Sequence, residues 1–201
     1  TKKVVEYLKK KREKINFCLV GEPTNPNKLG EMIKIGRRGS LTGKLTIFGL
    51  QGHVAYPNKA NNPSTTIVQI LKEIKDIKFD NGTKDFQPTN LEVTKININN
   101  TADNVIPATA EATFNIRFNN KHSSNSIKKR LNKIFYEINK KNKSKFKIQY
   151  RVSGEAFLTR PNKTTFMIQN LIEKITKIKP RLSTTGGTSD LRFIKTISPG
   201  L

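Results

Sequence analysis

Apolar residues recur with a two-residue period in some stretches of the chain and at helical spacing in others, and the two periods alternate in a definite order. From Ser40, Leu41, Leu45 and Ile47 alternate with polar neighbours, which predicts a strand. Asn62-Pro63 has the form of a cap followed by proline in the first helical turn, and Ile67, Ile70, Leu71, Ile74 and Ile77 follow at helical spacing. The turn-rich FDNGTKDFQP leads into TNLEVTKININ. There Leu91 and Val93 share one strand phase and Ile96 and Ile98 the other, so a β-bulge is expected between them. The clearest strand follows. Ala108, Ala110, Ala112, Phe114, Ile116 and Phe118 form one face, and Thr109, Glu111, Thr113, Asn115 and Arg117 the other. SSNSIKKRLNKIFYEINKK opens with a serine cap and places Ile127, Leu131, Ile134, Phe135 and Ile138 on one stripe. Phe146, Ile148, Tyr150 and Val152 alternate again.

The order over 40–152 is therefore β-α-β-β-α-β, the ferredoxin-like α+β arrangement with two helices on one face of four strands. That leaves a sheet face and a sheet edge to be covered, and pairing with a second copy is one common way to cover an edge. The flanks have a different character. Val4, Val5 and Leu8 among lysines predict the end of an amphipathic helix over residues 3–13, and INFCLVG predicts a short buried strand running into GEPT. After Gly154, KTTFMIQNLIEKI predicts a helix, RLSTTGGTSD a strand entering a tight glycine turn, and LRFIKT a helix start. The expected organisation is an α/β domain, residues 1–39 and 153–201, interrupted by an inserted α+β domain, residues 40–152. The chain opens inside an α/β pattern without a start Met, so a fragment of a longer protein is expected.

Composition narrows the class. Hydrophobic residues make up 34% of the 201 and charged residues 26%, as in a soluble globular protein. No apolar run is long enough to span a bilayer, the N-terminus lacks the apolar stretch of a signal peptide, and no membrane partner is expected. The formal charge of +23 points toward nucleic acid when taken alone. The excess is mostly lysine spread along the whole chain with much Asn and Ile, residues with AT-rich codons. Trp is absent and no basic strand is studded with aromatics, so no nucleic-acid partner is expected. The single cysteine, Cys18, lies in an apolar run as a buried free thiol; with no intramolecular disulfide possible, the cytoplasm is the natural compartment.

Several residues have the chemistry of a site. Glu22 ends a predicted strand, where open α/β sheets place ligand groups; a carboxylate there suits a divalent metal, and a solvated loop acid has the same spacing. His53 lies in GLQGHVAYP, a loop framed by glycine and proline, whereas His122 precedes a helix as an ordinary turn residue. GRRGS, with Arg37, suits a carboxylate, because guanidinium binds one through two parallel hydrogen bonds. Lys34 adds charge nearby, Arg117 lies on the polar face of its strand, and a solvated basic turn is the plain alternative for GRRGS. The backbone N–H groups of STTGGTSD suit an anion or a substrate carbonyl.

VGEPT, IKIGRRGS, GLQGHVAYPNKANNP, DNVIPATAEATFNIRF and TTGGTSD occur in that order, and together they resemble the cocatalytic metallo-aminoacylase and carboxypeptidase family over essentially the whole chain. The resemblance implies an α/β catalytic domain with an inserted dimerisation domain, and a homodimer. GRRGSLTG and QGHVAYPNKANNP are closest to the members that hydrolyse an N-succinyl amino acid. They imply release of succinate from N-succinyl-LL-2,6-diaminopimelate, on the route to lysine and peptidoglycan precursors. Two zinc ions per complete active site, or cobalt in their place, are implied with it. By the same resemblance Glu22 is a zinc ligand, and His53 reaches the partner's active site to stabilise the oxyanion. Arg37 and Arg117 hold substrate carboxylates, Lys34, Tyr56 and Asn104 line the pocket, and Gly187, Thr188 and Ser189 form a substrate-facing loop. The family's remaining zinc ligands and its general base fall before GEPT or beyond Leu201, so this chain is expected to hold zinc poorly and to be inactive by itself. Leu191 stands where the family has a small residue. A sibling N-acyl amino acid deacylase or carboxypeptidase, and a non-catalytic dimerisation fragment, are the alternatives.

Overall fold

The computed structural model describes residues 2–13, 15, 17–187 and 194. In chain order the elements are α1 (Lys2–Lys10), β1 (Met32–Lys34), β2 (Gly36–Arg37), β3 (Gly39–Phe48), β4 (Gly52–His53), a 3-10 turn (Pro57–Lys59) and α2 (Pro63–Lys75). They continue with β5 (Asn90–Asn97), β6 (Val105–Ile106), β7 (Thr109–Phe118), α3 (Ser124–Lys141), β8 (Lys145–Gly154), β9 (Phe157–Leu158), α4 (Lys163–Thr176) and β10 (Arg181–Ser183).

The inserted unit is a four-stranded antiparallel sheet in the order β5-β7-β3-β8, with α2 and α3 packed on one face. This is the ferredoxin-like arrangement that the periodicity predicts. Leu41, Leu45, Ile47, Phe114, Ile116 and Phe118 from the central strands meet Ile67, Ile70, Ile74, Ile127, Leu131 and Phe135 from the helices in one core, all but fully buried. Glycine shapes that core where two aromatic rings approach the backbone closely. Gly39 and Gly43 stand opposite Phe118 and Phe114, and a Cβ on Gly43 would lie 2.3 Å from the Phe114 ring. Both rings lie over bare backbone, which no side-chain-bearing residue allows.

The helix starts follow the sequence signals. The Asn62 side chain accepts from Ser64 N at 2.9 Å with Pro63 in the first turn, and Ser123 and Ser126 form a reciprocal capping box on α3. The Glu155 carboxylate also accepts from Ser124 N at 3.0 Å, a negative charge at a positive helix end. The predicted bulge in β5 is present between Val93 and Lys95. It does not bury the second apolar phase: Ile96 and Ile98 remain exposed at an open sheet edge. Ala108 is also exposed, because β7 begins only at Thr109 and the Ala108 carbonyl instead accepts from Gly49 N.

The flanks carry α1, α4 and the parallel pair β1–β10, with Lys34 opposite Ser183. The two chain crossings into the insert pair with each other as β2 and β9. The expected strand at INFCLVG is not formed. Its described residues lie outside any ladder, Phe17 and Leu19 are exposed, and Cys18 is half-buried rather than buried. A parallel strand needs neighbours on its edges and layers on both faces, and among the described residues none pairs with this segment. The expected helix at LRFIKT lies, apart from Ile194, outside the described residues.

Candidate functional site

The parallel register of β1 and β10 builds a cationic cradle. Lys34, at the end of β1, donates to Thr185 Oγ1 at 2.7 Å and reaches Ser183 Oγ at 3.4 Å. Arg37 donates to the Thr185 carbonyl at 2.6 Å and pairs with the Glu22 carboxylate at 3.4 Å. The Arg37 side chain is only 6% exposed, and its Nε has no hydrogen-bond partner among the described residues. Burial lowers the Lys34 pKa, and the neighbouring Arg37 and Arg181 lower it further. Burial likewise lowers that of Arg37, against the opposing pull of Glu22. Desolvated cations with an unfilled donor suit an incoming carboxylate, which regains for them what water has lost.

Glu22, Lys34 and Arg37 line a cavity of about 580 Å³ whose other walls include Phe17, Ile35, Phe157 and Ile172. Ser183 and Thr185 lie in the STTGGTSD segment, which the sequence offers for its backbone N–H groups; here their side chains and the Thr185 carbonyl make the contacts. Their role depends on β10 lying beside β1, about 150 residues away in the chain, which no local pattern announces. Gly187 is exposed with open space around it, and Thr188 and Ser189 lie outside the described residues.

A second group forms at the short pair β4–β6. His53 stands across from Val105, next to Asn104, and its ring centroid is 5.9 Å from that of Tyr56. Ala55 N donates to His53 Nδ1 at 3.1 Å. That makes Nδ1 the acceptor and leaves the proton of the neutral ring on Nε2. Nε2 lies 3.5 Å from the Asn104 side-chain nitrogen; with the proton on Nε2 both groups are donors, so no hydrogen bond joins them. Tyr56 is exposed with the Lys59 ammonium 5.5 Å from its ring centre. None of His53, Tyr56 and Asn104 lines the cavity that holds Glu22, Lys34 and Arg37. Arg117 sits apart from both groups, on the polar sheet face opposite Ser40 and Asn90, where its charge lowers the pKa of the already desolvated Arg38.

The profile of the M20 peptidase dimerisation domain matches residues 35–143. The chain belongs to this family. It is 78% identical over all 201 residues to a succinyl-diaminopimelate desuccinylase of Pelagibacter ubique, and 47% identical over 199 residues to one of Parvibaculum lavamentivorans. The matches cover 52% and 50% of those proteins, so the chain spans about half the length of the curated relatives it matches. Among solved structures, aminopeptidase PepT from Bacillus cereus superposes with a TM-score of 0.67 at 15% identity, over 84% of this chain and 43% of that one. At that identity the likeness speaks for the fold alone: an α+β dimerisation domain inserted between α/β segments.

Among the described residues no group of three or more His, Cys, Asp or Glu side chains stands together. The Glu22 carboxylate is engaged with Arg37. By themselves these residues do not fit a two-metal centre.

Proposed function

We propose that this chain is part of a metal-dependent amidohydrolase that releases succinate from N-succinyl-LL-2,6-diaminopimelate, acting as a homodimer in the cytoplasm. The observation that carries the reading is the 78% identity to a desuccinylase along the entire chain. The cationic cradle, with Arg37 Nε unpartnered among the described residues, supports it, because the substrate carries several carboxylates. Residues 40–152 form the dimerisation domain, and 1–39 with 153–201 belong to the catalytic domain. Glu22 contributes one carboxylate to the metal centre, zinc in the first instance and cobalt as an alternative, whose other ligands lie outside the residues described.

The roles of this chain's own groups are carried over from the family resemblance. Lys34 and Arg37 hold one substrate carboxylate, and Arg117 holds another. Tyr56 and Asn104 flank the His53 ring, and Gly187, Thr188 and Ser189 face the substrate. His53, with its proton held on Nε2 by the Ala55 contact, donates a hydrogen bond to the carbonyl oxygen as it gains charge. Because His53 stands outside the cavity of Glu22 and Arg37, it serves the partner's site across the dimer.

The test is to exchange this chain for the matching half of the Pelagibacter relative and assay succinate release with added zinc or cobalt. Hydrolysis of N-succinyl-LL-2,6-diaminopimelate in preference to other N-acyl amino acids is expected. A folded, dimeric chimera that prefers another acyl group moves the protein to a sibling deacylase, and one inert toward all of them leaves a non-catalytic dimerisation unit.

A further inference from the structure

The most densely bonded buried carboxylate among the described residues lies outside both groups above. Asp80, whose side chain is 5% exposed, accepts from Gly82 N at 2.6 Å, from Thr89 N at 3.3 Å and from the Asn119 amide at 2.6 Å, and meets His122 Nε2 at 3.0 Å. Gly82 and Thr89 mark the two ends of one loop, so a single side chain closes it. Asn119, fully buried, secures the same loop from the end of β7: its side chain donates also to the Gln87 carbonyl, and its N–H donates to Thr89 Oγ1. Inside the loop Thr83 and Phe86 are linked by hydrogen bonds, and Phe86 is buried.

This loop touches the cradle from two sides. The Thr184 hydroxyl donates to the Asp85 carbonyl. Thr184 is buried, and its neighbours Ser183 and Thr185 are the residues that hold Lys34 and Arg37. On the other side Arg38, next in the chain to Arg37, donates to the Pro88 carbonyl at 3.1 Å. We propose that Asp80 is a positioning residue for the cradle: by closing the 80–89 loop it holds Thr184 and Arg38 in place, and through them Lys34 and Arg37. The loop belongs to the inserted unit and Thr184 to the flanking one, so the same contact sets how the two meet. A binding constellation has to be held within about 0.5 Å of its productive geometry by the contacts that support it. The catalytic consequence rests on the proposed desuccinylase reading, whereas the mechanical link does not.

Amide hydrogen exchange on the 201-residue chain tests the link, since local opening is read segment by segment. In Asp80→Asn, peptides covering 80–89 and 181–187 should both exchange faster by about tenfold, with the β3 and β7 amides unchanged. In Thr184→Val, 181–187 should loosen while 80–89 stays protected. Faster exchange confined to 80–89 in Asp80→Asn overturns the proposal. If that variant also loosens β3 and β7, Thr184→Val decides, and unchanged exchange at 181–187 then overturns it. In the chimera described above, Asp80→Asn should raise KM about tenfold with kcat nearly kept, the pattern of lost substrate positioning. A fall in kcat at constant KM contradicts a role in the cradle. A chimera inactive toward the succinyl substrate sinks the functional reading and leaves the exchange result to judge the link.

Discussion

His53 and Asp80 show how much of a residue's behaviour its immediate partners set. The GLQGHVAYP frame marks His53 as a loop histidine, but only the Ala55 contact at Nδ1 assigns its proton to Nε2. In the active chimera, His53→Ala should lower kcat on the order of a hundredfold to a thousandfold, as loss of one oxyanion donor does. Bound metal measured by elemental analysis should stay the same. Mixing that variant with a metal-site variant should restore part of the activity, because one interface of the heterodimer then has both parts intact. No recovery in verified heterodimers removes the cross-subunit role. For Asp80, burial pushes the pKa up, but the hydrogen bonds from Thr89, Gly82 and Asn119 outweigh it and hold it at about 2, against an ordinary 3.8. A carboxyl depressed in the fold stabilises fully above its unfolded value, and the contribution is lost as pH falls through the folded one. The shift corresponds to on the order of 2 kcal/mol. Denaturation followed from pH 5 to pH 2 should therefore show a shallower acid loss of stability in Asp80→Asn than in the parent, with His122 present in both.

At the scale of elements, the helices and strands of the insert were legible because each carries its own period and its own stop signals. Asn62-Pro63 and Ser123 marked the two helix starts, and the phase change after Val93 marked the bulge. Less visible was the gap at Gly43 in the apolar alternation of β3, which has meaning only when Phe114 is known to lie across from it. Gly43→Ala should destabilise the chain by about 1–3 kcal/mol, the usual cost of overpacking a core. The Phe114 ring is fully buried and has nowhere to retreat. Chemical denaturation reads this directly, and a change within a few tenths of a kcal/mol shows that the ring moves aside. INFCLVG failed as a strand for the complementary reason. An apolar run states that a segment is to be buried, but a ladder needs a neighbour, and among the described residues that segment has none.

For the whole molecule, the insert and the flanks differ in self-sufficiency. The insert closes its own core, whereas the flanks leave Phe17, Leu19, Phe166, Met167 and Ile175 exposed around a two-stranded parallel pair. A polypeptide of residues 40–152 should thus unfold in one cooperative transition by calorimetry; a broad, non-cooperative trace contradicts those boundaries. The 201-residue chain by itself should release no succinate with zinc added, because among the described residues no three His, Cys, Asp or Glu side chains stand together to hold a metal. Sequence by itself determined the βαββαβ order, the helix caps, the core faces and, through its ordered motifs, the family, since each depends on residues near one another in the chain or on a string of local matches. Only the tertiary structure decided that Thr185 holds Lys34 and Arg37, that Glu22 faces Arg37, and that Asp80 ties together the ends of a loop reaching Thr184. Those contacts join segments up to about 150 residues apart, and their partners are chosen by sheet register and chain crossing rather than by local spacing.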